Sequence, residues 1–331
     1  MKTLVGNNMY WLVKREFWEH RGGFFWAPLV TGGIFLLLNI MGIITAEVIG
    51  ARHGIHIGEL GAARQHFAGG NLQSVISQMD AGDMSQVGMA LDMAMYSSMA
   101  LILVVLGFVV FFYCLGAIYD ERRDRSILFW KSLPLSDTET VLSKVVSATL
   151  VAPVIATLAG IAAGILQLLI VATTLSFHGI NVWQLLMLAH PVRVTLNMIG
   201  QIPLYLLWAL PSVGWLMACS AWARTKPFLW AIALPVATGL LVTWFGIMGL
   251  FNLSAGWFWQ NIVARALFSA FPGASLIASD GVIHTGNNNL DFMNLGNTYQ
   301  LLGSVNLWIG VAAGAALIAA AIWFRRQRDE G

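Results

Sequence analysis

Six stretches of this chain are apolar and free of charge over lengths that cross a bilayer. A spanning helix needs about 20 predominantly apolar residues. The first such run is Gly22 to Ala46, between Arg21 and Glu47; the second is Met93 to Tyr119, between Asp92 and Asp120. The third, Val145 to Val192, is too long for one helix and ends in the polar stretch from Ser176 to Asn181. The pattern predicts spans at about 24–49, 93–119, 145–175, 196–222, 227–250 and 301–324. Pro227 opens the fifth, a residue suited to a first helical turn. Phe251 to Ser279 is also mostly apolar, but carries Arg265 near its middle and contains Gly256, Pro272 and Gly273. A mid-membrane arginine costs roughly 2.5–3.5 kcal/mol. This segment therefore reads as broken, re-entrant helices that dip into the outer leaflet and return. The expected fold is all-α: a polytopic membrane protein, one transmembrane domain over 1–331.

The segments between the spans carry their own patterns. In residues 1–23, Trp11 and Trp18 are seven apart and Val13 and Phe17 four apart, interleaved with Lys14, Arg15, Glu16, Glu19 and Arg21. That spacing predicts a helix in the membrane interface with an aromatic face and a charged face. It reads either as a simple anchor or as an elbow that also touches a cytoplasmic partner. The run after it is too long for the core of a cleaved leader.

The loop 120–144 has three parts. Residues 119–126 alternate in charge; Ile127, Leu128, Phe129 and Trp130 form an apolar block; Leu133, Pro134 and Leu135 break the chain. Ser136 and Glu139 then stand at capping-box spacing and open a helix that runs through Lys144 into the third span. Large apolar residues in such a loop need cover, from the bilayer surface or from a soluble partner. Longer segments, 47–91 and 251–300, lie on the opposite side.

Composition agrees with lipid as the main solvent. Of 331 residues 58% are hydrophobic and only 10% charged, with 14 Trp and 18 Phe. A soluble domain averages about 25% charged, so disorder, a disulfide scaffold and an ordinary cytosolic enzyme are excluded. A net charge of +2 gives no footing for nucleic acid. The distribution of Lys and Arg matters more: fourteen fall on the side holding both termini, four on the other. The positive-inside rule then puts both termini in the cytoplasm. Cys114 and Cys219 sit in apolar runs without paired spacing and read as small buried apolar residues.

The chain carries none of the common catalytic motifs. No Gly precedes any of the five lysines, so the P-loop pattern does not occur. The 25-residue loop 120–144 is too short for a nucleotide-binding domain. There is no HExxH, and the apolar cores hold no Asp, Glu, Lys or Arg, which argues against an ion-coupled carrier. His53 and His56, with the methionines from Met79 to Met95, are read as packing rather than as a metal site. No catalytic residue, metal or cofactor is assigned to this chain. Pro153, Pro203, Pro211 and Pro235 lie inside spans and can kink them. With the sparse polar residues Asn39, Gln167, Asn197 and Gln201 they are the candidates for a pathway, suiting an amphipathic, lipid-like or peptide cargo better than a small ion.

Taken together, these features resemble the permease subunits of ABC-2 type ATP-binding-cassette transporters, over essentially the whole length. The most specific match is Asp120-Glu121-Arg122-Arg123-Asp124-Arg125-Ser126-Ile127-Leu128, followed by Lys131-Ser132-Leu133-Pro134-Leu135-Ser136 and Lys144. It is similar to the family's segment before and within its coupling helix. Trp11 to Arg21 resembles the elbow helix, and 251–279 the re-entrant outer helices. The segment 47–91 is longer than the shortest members carry.

The resemblance implies an export permease in a bacterial cytoplasmic membrane, paired with a second, identical or homologous permease. Two ATPase subunits that bind ATP and Mg would dock beneath. Phe129, Trp130, Leu133 and Leu135 would then grip the ATPase, with Asp120, Glu121, Arg122 and Arg125 as steering or pairing charges. Other readings are a structural or regulatory membrane subunit, a channel, or an intramembrane hydrolase.

Overall fold

The computed structural model describes residues 2–53, 81–125, 135–177, 187, 189–249, 254–274 and 295–327. Every regular element among them is helical. Helix α1 is Lys2–Glu19, and a π turn at Gly22–Trp26 leads into α2, Ala27–His53. Helices α3 (Ala81–Gly116) and α4 (Tyr119–Arg123) follow, then α5 (Asp137–Val146). A π turn at Ser147–Val151 joins α5 to α6, Ala152–Phe177. Next come α7 (Pro191–Trp222) and α8 (Pro227–Ile247). Helices α9 (Ala255–Phe258) and α10 (Ala264–Phe268) flank a π turn at Trp259–Val263. The chain continues with α11 (Leu295–Tyr299), a 3₁₀ turn at Gln300–Gly303, and α12, Val305–Gln327.

Six helical stretches are long and apolar enough to cross a membrane: Gly22–Gly50, Met84–Arg123, Asp137–Thr174, Pro191–Trp222, Pro227–Ile247 and Val305–Gln327. This is the architecture of a multi-pass membrane protein. The count matches the sequence pattern, but several bounds differ for one physical reason. A charge ends a hydropathic run without ending a helix, because the backbone hydrogen bonds continue past it. Helix α3 therefore begins at Ala81 rather than near 93 and holds Asp92 within it. Helix α12 carries Arg325 and Arg326 inside its last turn, while its start at Val305 rather than 301 comes instead from the 3₁₀ turn and the extended Ser304 ahead of it. The third span runs back through α5 to Asp137, as the capping box implied.

The chain divides into two compact units. One comprises 1–27, 103–155 and 200–331. In it α1 and α12 both pack on α5. Helices α7 and α12 meet at glycines: a Cβ on Gly214 would stand 2.6 Å from the Gly314 carbonyl oxygen, and one on Gly314 2.6 Å from the Leu210 carbonyl. Small residues that let backbones touch are how helices associate where lipid removes the hydrophobic drive. A second core gathers Leu204, Trp208, Leu301 and Leu307.

The other unit comprises 28–102 and 156–199. Met95 and Met99 fill space left by Gly164 and Gly160. Several of its polar groups pair with one another. Gln167 donates to Asn39 Oδ1 at 3.1 Å, Asn197 to the Tyr96 hydroxyl at 3.3 Å, and the His190 amide to Asp92 at 2.9 Å.

Prolines explain local irregularities. Pro153 lacks an N–H and lies just after the π turn, where the ladder must shift register. Pro203 and Pro211 lie inside α7, and Pro235 inside α8. Helix α8 starts at Pro227 behind Lys226, whose φ of 49° places it in the left-handed region.

Candidate functional site

Two buried charged sites stand out, both in the unit containing α1 and α12. The first is built around Glu16. On α1, Leu12 and Glu16 are one turn apart, and both are buried. The carboxylate has three kinds of partner. Lys144 Nζ on α5 lies 2.9 Å from Oε1, Arg15 Nη2 lies 2.6 Å from the same oxygen, and the Tyr113 hydroxyl donates to Oε2 at 2.8 Å. Lys144 also reaches Glu121 Oε1 at 3.0 Å. Glu121 in turn holds Arg325 Nη1 at 2.6 Å through its other oxygen, and Arg325 Nε contacts Asp137 at 3.1 Å.

Three carboxylates (Glu16, Glu121, Asp137) thus interlock with three cations (Arg15, Lys144, Arg325). Lys144 and Arg325 are only 2% and 1% exposed. Such charges are tolerated inside a protein when paired and hydrogen-bonded. Burial pushes the Glu16 carboxyl up, but Lys144, Arg15 and the Tyr113 hydroxyl outweigh it, so the group sits below its ordinary value. Glu19 and His20 lie close to Glu16 as a possible metal-binding trio, but Glu16 is already engaged by Lys144.

The elements around this cluster are held by local chemistry. Ser136 accepts from the Glu139 amide and Glu139 from the Ser136 amide, each at 3.1 Å, a complete capping box. Between α3 and α4 the amides of Ile118 and Tyr119 donate to Ser220 Oγ at 3.1 and 3.0 Å. Arg122 is buried and donates to the carbonyls of Ser220 and Ala223 at 2.6 and 2.8 Å, at the C-terminus of α7. A cation there complements the helix dipole.

The residues singled out in the sequence separate accordingly. Glu121, Arg122 and Lys144 turn inward. Asp120 and Arg125 are exposed, and Leu135 is half-buried. Phe129, Trp130, Leu133 and Pro134 lie outside the described residues. On α1, Trp11 and Trp18 are exposed, with Lys14 over the Trp11 ring at 4.9 Å. The face of α1 against the protein is Leu12 and Glu16. Sequence reading missed Glu16 and Arg325.

The second site surrounds Arg265 on α10, which is 8% exposed. Its guanidinium carbon lies 4.4 Å above the Trp208 ring, and Nη1 donates to the Asn306 carbonyl. Its own carbonyl accepts from Ser212 at 2.8 Å. Gly310 leaves the room: a Cβ there would collide with the guanidinium. A cavity of about 550 Å³ adjoins, lined among others by Pro211, Trp215, Pro235, Trp257 and Arg265. Two of the candidate pathway residues, Pro211 and Pro235, thus share this cavity. Gln167 and Asn197 are committed to hydrogen bonds elsewhere; Pro153 is buried, Gln201 half-buried and Pro203 exposed. Comparison with family models, curated proteins and solved structures gives no match.

Proposed function

We propose that this chain is the membrane-spanning permease subunit of an ATP-driven ABC exporter, paired with a second permease and worked by two separate ATPase subunits. ATP and Mg belong to those partners. Both termini lie in the cytoplasm of a bacterial cell, beneath its inner membrane. The observation that carries the reading is the buried charge cluster. It fastens both flanks of segment 126–134, Glu121 on one side and Asp137 and Lys144 on the other, to α1 and α12.

A loop that merely joins two spans has no need of such anchorage. A segment that takes a push from a partner and passes it to helices does, since a slack attachment dissipates the motion. The capped, continuous path from α5 into α6 supplies stiffness in the same sense. Phe129, Trp130, Leu133 and Leu135 supply the apolar grip that anchors a docking contact. Export rather than import follows the resemblance.

The test is purification of the tagged chain in mild detergent from its native membrane. A P-loop ATPase is expected to accompany it. The double substitution Phe129→Ala, Trp130→Ala should remove that ATPase while the permease elutes unchanged. Purification without any ATPase, or undiminished recovery from the double variant, defeats the reading.

A further inference from the structure

Another cavity, of about 570 Å³, lies beside the π turn that leads from α1 into α2, against the end of α3 that leads into α4. Two kinds of side chain line it: the rings of Phe24, Phe108, Phe112 and Tyr113, and the carboxylates of Glu19 and Asp120. No Lys or Arg does. His20 also borders it, with Nδ1 at 3.3 Å from the Glu16 carbonyl oxygen. Glu19 is paired with Arg15 at 3.3 Å. Asp120 is exposed, and its carboxylate has no hydrogen bond or ion pair among the described residues. Its Oδ2 lies against Gly116, a residue of the same lining: a Cβ there would stand 2.5 Å from that oxygen.

These features select an occupant by charge and by shape. Carboxylates with no lining Lys or Arg repel an anion, and the phosphate of a phospholipid with it. Phe108 and Phe112 are 51% and 57% exposed, so the cavity has both a charged border and hydrocarbon-facing rings. A hydrated metal ion gains nothing from those rings. A cation with an apolar body uses both parts: its charge is attracted by Asp120 and by aromatic faces, and its body displaces water from the apolar wall. The volume suits one drug-sized molecule.

We propose that this cavity binds an amphipathic organic cation, its charge beside Asp120 and its apolar body against Val105, Phe108 and Phe112. The inference stands apart from the permease reading, since the lining lies within this chain and needs no ATPase to form.

Two ions of one shape and opposite charge test it. The full-length chain, purified alone in a non-ionic detergent, is dialysed to equilibrium against tetraphenylphosphonium and, in separate samples, against tetraphenylborate. The phosphonium is expected to show a saturable component of one ion per chain above its uptake by the micelles, and the borate none. Asp120→Glu should retain that component. Asp120→Asn should weaken it about fivefold or more, as loss of the charge partner requires. Val105→Trp, which narrows the cavity and leaves Asp120 in place, should weaken it as much and decides the matter if Asp120→Asn misfolds. Absence of saturable phosphonium binding, equal binding of the borate, or an affinity unchanged by either variant overturns the proposal. Displacement by millimolar magnesium at constant ionic strength also overturns it, by assigning the carboxylates to an inorganic cation.

Discussion

Glu16 and Arg265 are both charges removed from water, and the protein treats them in opposite ways. Around Glu16, opposite charges answer one another through Lys144, Glu121, Arg325 and Asp137. Around Arg265 a single cation rests on a ring and a carbonyl, with two nitrogens unused. The first arrangement sets opposite charges beside one another and is therefore mechanical: its members hold helices together. The second has no opposite charge beside it among the described residues. Burial alone does not tell the two apart; the presence or absence of an opposite charge alongside does.

The contrast can be broken by deletion. Lys144→Ala leaves Glu16 in the interior without its main cation, and breaking a buried pair from one side costs about 3–5 kcal/mol. The expected result is a large drop in the thermal midpoint of the detergent-purified protein, or loss of monodisperse material. Combining it with Glu16→Gln should recover part of that loss, because the orphaned charge is removed with its partner. A Lys144→Ala protein as stable as the parent would show that the cluster holds nothing.

Acid offers a gentler version of the same cut. The Glu16 carboxyl lies below its usual 4.5 in the folded protein, so the unfolded chain binds that proton more readily. The stability it contributes is fully present above that usual value and is lost as pH falls through the lower folded value. Unfolding midpoints should therefore fall below about pH 4.5, and Glu16→Gln should flatten that limb while leaving the neutral region parallel. The effect is smaller than that of Lys144→Ala, since a protonated Glu16 still hydrogen-bonds. A Glu16→Gln profile with an undiminished acid limb would assign the titration to other carboxylates.

Arg265→Gln sharpens the comparison from the other side. No buried carboxylate is orphaned by it among the described residues. What disappears is one hydrogen bond to Asn306 and the contact with Trp208, worth about 1–2 kcal/mol together. Removal of a charge that was never neutralised offsets part of this. The thermal midpoint should move far less than with Lys144→Ala. Equal losses for the two would erase the distinction between a closed and an open charge site.

How much of this was legible beforehand depends on the range of the interaction. The six apolar stretches are properties of contiguous residues, and so is the Ser136–Glu139 box; both were readable from the chain. Among the described residues, 254–274 form no helix long enough to span, in keeping with Arg265, Gly256, Pro272 and Gly273. Glu16 and Arg325 were not. Each looks like an ordinary charge beside an apolar run, and only the meeting of α1, α4, α5 and α12 buries them. Trp11 and Trp18 mark a related limit: aromatic spacing shows that a face exists, not whether protein or lipid covers it. The pathway candidates mixed two kinds of residue. Pro211 and Pro235 line one cavity, whereas Gln167 and Asn197 are occupied by Asn39 and Tyr96.

The smallest expected effect belongs to the cap that leads into the cluster. Ser136→Ala removes the acceptor for the Glu139 amide, a loss of about 1 kcal/mol for a helix N-cap. It touches no ion pair, so its cost should add to that of Lys144→Ala if α5 is simply a helix with a cap at one end and a charge further along. Asp137 is the residue next to that cap, however, and it holds Arg325. If the cap positions Asp137, the two losses will be less than additive, because a cluster already broken at Lys144 has less to lose from a frayed first turn. A double-mutant cycle on thermal midpoints separates the cases: a coupling of about 0.5 kcal/mol or more makes the cap part of the charge cluster, while strict additivity confines it to its own helix.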